Sequence, residues 1–169
     1  DKLNGTIEVN SKKNVGTDIK VCMTFAIGEE IKYDNPAENH FNLEGLRALV
    51  VEDNELNTEV VKFFLENNGI IVDCVEDGVQ ALECFEKSNP GYYAMILMDV
   101  LMPRMNGLEA TRRIRSLQRK DASSIPIIAM SANAFSDDIM RGKLAGMNDY
   151  LAKPLDEEML IRAIRKCLK

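Results

Sequence analysis

Five polar side chains of this chain each follow an apolar segment and could act together in chemistry: Glu52, Asp53, Asp99, Ser131 and Lys153. Three of them are carboxylates, and carboxylates brought a few ångströms apart repel one another. A hard divalent cation relieves that repulsion by taking oxygen ligands from them. The set therefore predicts a Mg²⁺ site with a hydroxyl and an ammonium group beside it.

Such a site is suited to phosphoryl transfer. Mg²⁺ typically uses one or two carboxylates plus phosphate oxygens, and the reaction needs positioning and charge neutralisation more than it needs a base. Mg²⁺, Lys153 and Ser131 could neutralise the phosphoryl oxygens, which leaves Asp99 as the nucleophile. Each residue also has an ordinary explanation: a helix cap at Asp53 or Ser131, a turn residue at Asp99, surface charge at Lys153. Those explanations do not account for the whole set.

The segments that must position these residues alternate between strand-like and helix-like patterns from Leu46 onward. The predicted strands are Leu46–Val51, Ile70–Val75, Tyr93–Met98, Ile125–Met130 and Asp149–Leu151. Apolar stripes predict helices between and after them, marked by Leu56, Val60, Phe63 and Phe64; Val79, Leu82 and Phe85; Leu108, Thr111 and Ile114; Phe135, Ile139 and Met140; and Met159, Leu160, Ala163, Ile164, Cys167 and Leu168. Asp156 is the predicted N-cap of the last helix, and Asn106 with Glu109 resembles a capping pair.

This alternation predicts an α/β fold for residues 45–169, a five-stranded parallel doubly wound sheet. In such a sheet, ligands bind at the carboxyl ends of the central strands, and the five polar residues follow the strands there.

Composition excludes several classes of protein. The 169 residues carry a net charge of −6, which favours binding neither to nucleic acid nor to an anionic membrane. The four cysteines are widely spaced, so a zinc knuckle or disulfide framework is not expected and a reducing compartment is. No apolar run is long enough to span a bilayer. We expect a soluble, cytoplasmic chain, compatible with a parent protein that is itself membrane-attached.

Residues 1–26 follow a different pattern, in which apolar residues alternate with polar or small ones. This predicts a β-hairpin around a polar turn at Asn10–Gly16, with one apolar face made by Ile7, Val9, Ile19, Val21, Met23 and Phe25. Residues 27–44 have neither strand nor helix periodicity and are interpreted as a linker.

The chain from residue 45 onward resembles the receiver domains of two-component response regulators. Four stretches carry the resemblance: Leu49 to Asn54, Met98 to Gly107, Ala129 to Ala132 and Asp149 to Pro154. It implies that Asp99 accepts a phosphoryl group from a phosphohistidine, on a histidine kinase or a histidine phosphotransfer domain. Glu52 stands where aspartate is commoner in the family.

The resemblance also implies a role for each site residue. Asp53 and the carbonyl of Leu101 would be Mg²⁺ ligands with Asp99, and Glu52 would assist through water. Ser131 and Lys153 would hold the phosphoryl oxygens, and Tyr150 would change rotamer together with Ser131 as the switch. The bond between Lys153 and Pro154 would be cis. Leu101 and Asn133 occupy positions that tune the lifetime of the phosphoryl group in the family.

The hairpin resembles the last two strands of a histidine-kinase ATP-binding domain. Followed by a receiver, it implies the C-terminal part of a hybrid histidine kinase whose nucleotide-binding motifs lie before Asp1. Its exposed apolar face favours a homodimer through the hairpin.

Three other functions share part of this pattern. A Mg²⁺-dependent phosphatase with an aspartate nucleophile normally has a second acid two residues later, where this chain has Leu101. A flavodoxin-like binding module needs a glycine- and hydroxyl-rich loop after the first strand, where this chain has acidic residues. A degenerate receiver that only binds proteins would not need Asp99 and Lys153. His40, the only histidine, is interpreted as a surface residue.

Overall fold

The computed structural model describes residues 5–23, 42–132 and 136–168. The chain divides into two compact units, Asp1–His40 and Phe41–Lys169. Most of the predicted linker lies outside the described residues, as do Phe25, His40, Asn133 and Phe135. Within the described residues, no helix is long and apolar enough to cross a membrane.

The first unit contains an antiparallel hairpin of β1 (Gly5–Lys12) and β2 (Gly16–Met23). Ile7 pairs with Val21 and Val9 with Ile19, so these four side chains share one face, and all of them are exposed. The predicted turn was too long, because β1 continues to Lys12. The strands are still paired near this end, where the hydroxyl groups of Ser11 and Thr17 are 2.9 Å apart. The hairpin itself is confirmed.

The second unit contains a five-stranded parallel sheet, which confirms the predicted fold class. Its strands are β3 (Arg47–Val51), β4 (Ile71–Val75), β5 (Met95–Asp99), β6 (Ile127–Ser131) and β7 (Asp149–Ala152). Their order in the sheet is β4-β3-β5-β6-β7. The central strands β5 and β6 are buried along their whole length, as their unbroken apolar runs predict.

Two strand ends differ from the prediction in a way that bears on function. Asp99 pairs with Met130 and Ser131 pairs with Ala152, so both polar residues lie inside the sheet ladder. The prediction, which placed them just after the strands, was wrong because the backbone pairing continues past the last apolar side chain. Ladder hydrogen bonds therefore hold the backbone of both residues.

Five helices cover the sheet: α1 (Glu55–Asn67), α2 (Gly78–Lys87), α3 (Gly107–Ser116), α4 (Ser136–Ala145) and α5 (Glu157–Cys167). Alternate residues of β3 point to opposite faces, which builds one core with Leu65 and Leu160 and a second core with Phe85 and Ile114. Helices α1 and α5 thus pack on one face of the sheet, and α2 and α3 pack on the other.

The buried face of α1 is not the stripe that the sequence pattern selected. Val61 and Leu65 are the fully buried residues of this helix. Of the predicted stripe, only Phe64 packs against the core, whereas Leu56, Val60 and Phe63 are exposed. Helix α1 carries apolar residues on two faces, and periodicity cannot tell which of two apolar faces meets the sheet. An exposed apolar face therefore begins one turn after the acidic pair Glu52 and Asp53.

The predicted N-cap residues lie at the starts of their helices. Asp156 accepts a hydrogen bond from the backbone of Met159, and Asn106 accepts one from Glu109, which confirms both predicted caps. The cap of α1 is Asn54, and Asp53 does not fill that position. The ordinary explanation of Asp53 as the cap of this helix is therefore excluded.

A cluster around Arg119 and Asp121, in the segment after α3, links that segment to the end of α2 and to the loop before β5. The Arg119 guanidinium makes two hydrogen bonds with the Asp121 carboxylate and lies 4.0 Å from the centre of the Phe85 ring. Arg119 also donates to the carbonyls of Phe85 and Ser88, and Asp121 accepts from the backbone of Gly91. The hydrogen bond with Arg119 is the main cause that lowers the pKa of Asp121 to about 2.

We predict that Asp121→Asn lowers the free energy of unfolding at pH 7 by about 1 to 2 kcal/mol, because the ionised carboxylate is favoured in the folded state. A depressed pKa stabilises the fold above the unfolded value of 3.8 and loses that effect as pH falls toward about 2. Urea unfolding at pH 7 and at pH 3 should show the difference from the wild-type protein shrinking at pH 3. Glu86→Gln, at an exposed carboxylate, is the control, and a pH-independent difference would contradict the prediction.

Candidate functional site

The carboxyl ends of β3 and β5 bring the three predicted acidic residues together. These strands are neighbours at the point where the strand order changes direction, which is where open α/β sheets bind ligands. Glu52, Asp53 and Asp99 each offer a carboxylate oxygen, and these oxygens lie within 4.8 Å of one another. Glu52 and Asp99 are buried, whereas Asp53 is exposed. Three hard oxygen donors with one side open to solvent fit a divalent cation that keeps water ligands.

Lys153 lies between two of these carboxylates. Its ammonium nitrogen Nζ is 2.6 Å from Glu52 Oε2 and 2.6 Å from Asp99 Oδ2. Burial lowers the pKa of Lys153, but hydrogen bonds and charge from Asp99 and Glu52 outweigh it, so the net shift is upward. Lys153 is therefore a charged group of the site and not a surface charge, and the Lys153–Pro154 peptide bond is cis, as expected.

Asp99 has its other carboxylate oxygen held from the loop that follows β5. The backbone of Leu101 donates to Asp99 Oδ1 at 3.0 Å. Gly107 begins α3 against the backbone of Asp99, and a Cβ atom at Gly107 would collide with the Asp99 carbonyl. Only glycine allows α3 to start so close to the strand that carries Asp99.

Ser131 and Tyr150 come from neighbouring strands and lie together. Ser131 is buried, and its carbonyl accepts from the backbone of Lys153 at 2.8 Å. Burial raises the pKa of Tyr150, and the nearby Ser131 hydroxyl acts in the opposite direction. The Tyr150 ring packs so closely on Gly142 of α4 that a Cβ atom there would lie 2.7 Å from it. A contact path therefore leads from the site to α4.

Sequence reasoning missed three residues that hold the site. Asn57 donates from Nδ2 to Glu52 Oε1 at 2.8 Å. Arg104, whose φ is +61°, forms an ion pair with Asp77, the fully buried N-cap of α2. No local sequence pattern announces a contact between the N-cap of one helix and a distant loop, such as that of Asp77 with Arg104.

The comparisons with known proteins agree with this geometry. A model of the response regulator receiver domain family matches residues 48–165. This chain belongs to that family. The receiver domain of a sensor histidine kinase from Pseudomonas aeruginosa PAO1, which has a magnesium ion coordinated in its active site cleft, is 40% identical with a TM-score of 0.66; the match covers 73% of this chain and 98% of that one.

Curated relatives include hybrid kinases of Dictyostelium discoideum. Hybrid signal transduction histidine kinase B is 39% identical over 132 residues, which is 72% of this chain and 7% of that protein. Hybrid signal transduction histidine kinase L is 30% identical over 164 residues, which is 96% of this chain and 10% of that protein. The chain thus spans a small part of the length of these relatives.

We predict that Lys153→Met lowers the free energy of unfolding by about 1 to 3 kcal/mol in buffer with EDTA, because it leaves two buried carboxylates without the cation that both contact. Added Mg²⁺ should restore much of that loss by replacing the positive charge. Thermal unfolding with EDTA and with Mg²⁺ measures both effects. Lys87→Met, at an exposed ion pair, is the control and should respond to neither buffer. Equal stability of Lys153→Met and wild type in EDTA would refute this account of the site.

Proposed function

We propose that this receiver domain accepts a phosphoryl group on Asp99 with Mg²⁺ held by the acidic cluster, as one step of a two-component phosphorelay. The observation that carries the proposal is the position of Asp99, buried at the end of a central strand between an ammonium group and two further carboxylates. An isolated structural carboxylate would have no need of that arrangement.

The proposed roles are those that the resemblance to receiver domains implies, and the contacts of Asp99 and Lys153 support them. Asp53 is the exposed carboxylate and takes the cation directly, with Asp99 and the Leu101 carbonyl, while Glu52 acts through water. Bound Mg²⁺ supplies charge neutralisation of the phosphoryl oxygens. Lys153 and the Ser131 hydroxyl hold the same oxygens, and one carboxylate oxygen of Asp99 forms the acyl phosphate bond as the donor departs with the bonding electrons.

A turnover phosphatase is disfavoured by the residue two positions after Asp99. Leu101 is apolar and its side chain is exposed at the edge of the site, so it cannot protonate a leaving group. A receiver that only binds proteins is disfavoured by the buried contacts between Lys153, Glu52 and Asp99, since a partner-binding surface does not require them.

We predict that incubation with acetyl phosphate and Mg²⁺ adds one phosphoryl group at Asp99. Asp99→Asn should abolish the added mass, and Asp53→Asn should slow labelling by weakening the affinity for Mg²⁺. Intact-mass measurement followed by peptide mapping tests this. Glu59→Gln, at an exposed carboxylate on α1, is the control and should be labelled like wild type. Labelling that persists in Asp99→Asn would rule out the assignment.

The phosphodonor is proposed to be a phosphohistidine on a histidine kinase or a histidine phosphotransfer domain. The exposed apolar residues of α1, Leu56, Val60 and Phe63, lie on the helix that starts beside the acidic pair and offer a protein donor an apolar surface. All four cysteines are free, which supports a location in a reducing compartment such as the cytoplasm.

Ser131 and Tyr150 are proposed to be the switch. A phosphoryl group that draws the Ser131 hydroxyl toward Asp99 would take it away from Tyr150, whose buried hydroxyl group has no hydrogen-bond partner among the described residues. Because the Tyr150 ring lies against Gly142, a rotamer change of Tyr150 alters the contact with α4. Such coupling is typically worth about 1 to 3 kcal/mol, enough to shift a population between two conformations.

We predict that a beryllofluoride complex, which mimics the acyl phosphate, shifts the NMR signals of Ser131, Tyr150 and Gly142. Tyr150→Phe lacks the buried hydroxyl group that could bond Ser131 in the switch, so the shift at Gly142 should be smaller in that variant. Tyr92→Phe, an exposed tyrosine on the loop before β5, is the control. Signals at Gly142 that respond equally in wild type and Tyr150→Phe would contradict this route.

Residues 1–26 are proposed to be the last strands of a histidine-kinase ATP-binding domain, joined by the linker of residues 27–44 to a receiver at 45–169. The match to hybrid kinase L supports this, because a match over 96% of the chain must include parts of both hairpin strands. The parent protein would then be a hybrid histidine kinase. The apolar face of the hairpin is proposed to pair with a second copy, since a lone two-stranded hairpin is marginal in water.

We predict that this chain forms a concentration-dependent dimer through the hairpin. Ile19→Lys places a charge on the apolar face and should shift the protein to monomer, whereas Thr6→Lys, on the opposite face, should not. Sedimentation velocity over a range of concentrations measures the distribution. A wild-type protein that stays monomeric throughout would eliminate the hairpin dimer.

A further inference from the structure

Glu52 is held from two sides by groups of different charge. Lys153 donates to Oε2 at 2.6 Å, and Asn57 donates from Nδ2 to Oε1 at 2.8 Å. Glu52 itself is 2% exposed, so both contacts are made away from bulk water. The two carboxylate oxygens of Glu52 are therefore each occupied by one donor.

Asn57 is fixed at the position from which it reaches Glu52. It is the third residue of α1, and its backbone N–H donates to the side chain of the N-cap Asn54 at 3.1 Å. The Asn54 cap holds the Asn57 backbone, and the half-buried side-chain amide of Asn57 reaches back to Glu52. Asn57 therefore belongs to the same rigid helix start that follows the acidic pair.

Lys153 and Asn57 must respond differently when a cation and a phosphoryl group enter the site. Lys153 is shared with Asp99, and a positive charge is repelled by an incoming cation and attracted by phosphoryl oxygens. Asn57 is neutral, so a cation does not displace it. Once Lys153 moves to a phosphoryl group, Asn57 is the described side chain that continues to orient Glu52.

Glutamate makes this support necessary. It has one more rotatable bond than aspartate, and a longer side chain must be held to present its oxygen in one place. We propose that Asn57 is a positioning residue, which holds Glu52 for the metal site while Lys153 is free to serve the phosphoryl group; this inference rests on the proposed function.

The test is a double-mutant cycle of Asn57→Ala and Glu52→Asp, with the affinity for Mg²⁺ measured by calorimetry in the absence of a phosphodonor. Asn57→Ala should weaken Mg²⁺ binding about tenfold, the lower end of the loss typical for outer-shell partners of a metal site. Aspartate at position 52 is shorter by one carbon, which should take its carboxylate out of hydrogen-bond distance from Asn57. Asn57→Ala should therefore change the affinity by less than about twofold in the Glu52→Asp background.

Asn68→Ala is the matched control, since Asn68 is a half-buried asparagine at the other end of α1 whose amide donates to Phe64 and Glu157. It should lower stability without changing Mg²⁺ affinity. Equal losses from Asn57→Ala in both backgrounds, or no loss in either, would overturn the positioning role. Wild type that binds no Mg²⁺ would overturn the proposed function as well, whereas wild type labelled at Asp99 with unchanged affinity in Asn57→Ala would overturn this inference alone.

A second measurement does not depend on the folding of a variant. In wild type, the side-chain amide signals of Asn57 should remain protected from solvent exchange when Mg²⁺ and beryllofluoride are added, while the ammonium group of Lys153 should change its environment. Loss of protection at Asn57 on filling the site would also overturn the proposal.

Discussion

Repulsion among Glu52, Asp53 and Asp99 is the constraint on which the rest of the structure depends. Their oxygens are within 4.8 Å of one another, and two of the three side chains are buried, where charge is poorly screened. Lys153 reduces that repulsion by contacting both buried carboxylates. The same arrangement suits a cation and a phosphoryl group. A cation can replace the lysine at the carboxylates, and phosphoryl oxygens can replace the carboxylates at the lysine.

The surrounding backbone is built to keep these groups in place. Asp99 and Ser131 lie inside the sheet ladder, so their positions follow from strand pairing and not from a loop. Gly107 lets α3 begin against the Asp99 carbonyl, and the ion pair of Asp77 with Arg104 joins the start of α2 to the loop after β5. The starts of α3 and α2 are therefore anchored, the first against the strand that carries Asp99 and the second to the loop after it.

The parts of the domain that face solvent differ from this fixed centre. Helix α1 uses Val61 and Leu65 for the core and leaves a second apolar face exposed beside the site. Tyr150 lies against Gly142 of α4, and this close contact is the one through which the proposed switch would act. The buried carboxylates are held by side-chain and backbone contacts, while the surfaces that could report the state of the site or meet a donor lie around it.

The sequence by itself determined the fold class, the hairpin and the five polar residues of the site, because apolar periodicity and strand ends are local patterns. It did not show which apolar face of α1 is buried, that Asp99 and Ser131 lie within the ladder, or that Asn57 contacts Glu52. Nor did it show that Lys153 bridges Glu52 and Asp99, which are 101 and 54 residues away along the chain. Only the tertiary structure decides these features, because strand order and helix packing set the distances between segments far apart in sequence. Even the Asn57–Glu52 contact, between residues five apart, depends on how α1 is placed against the end of β3.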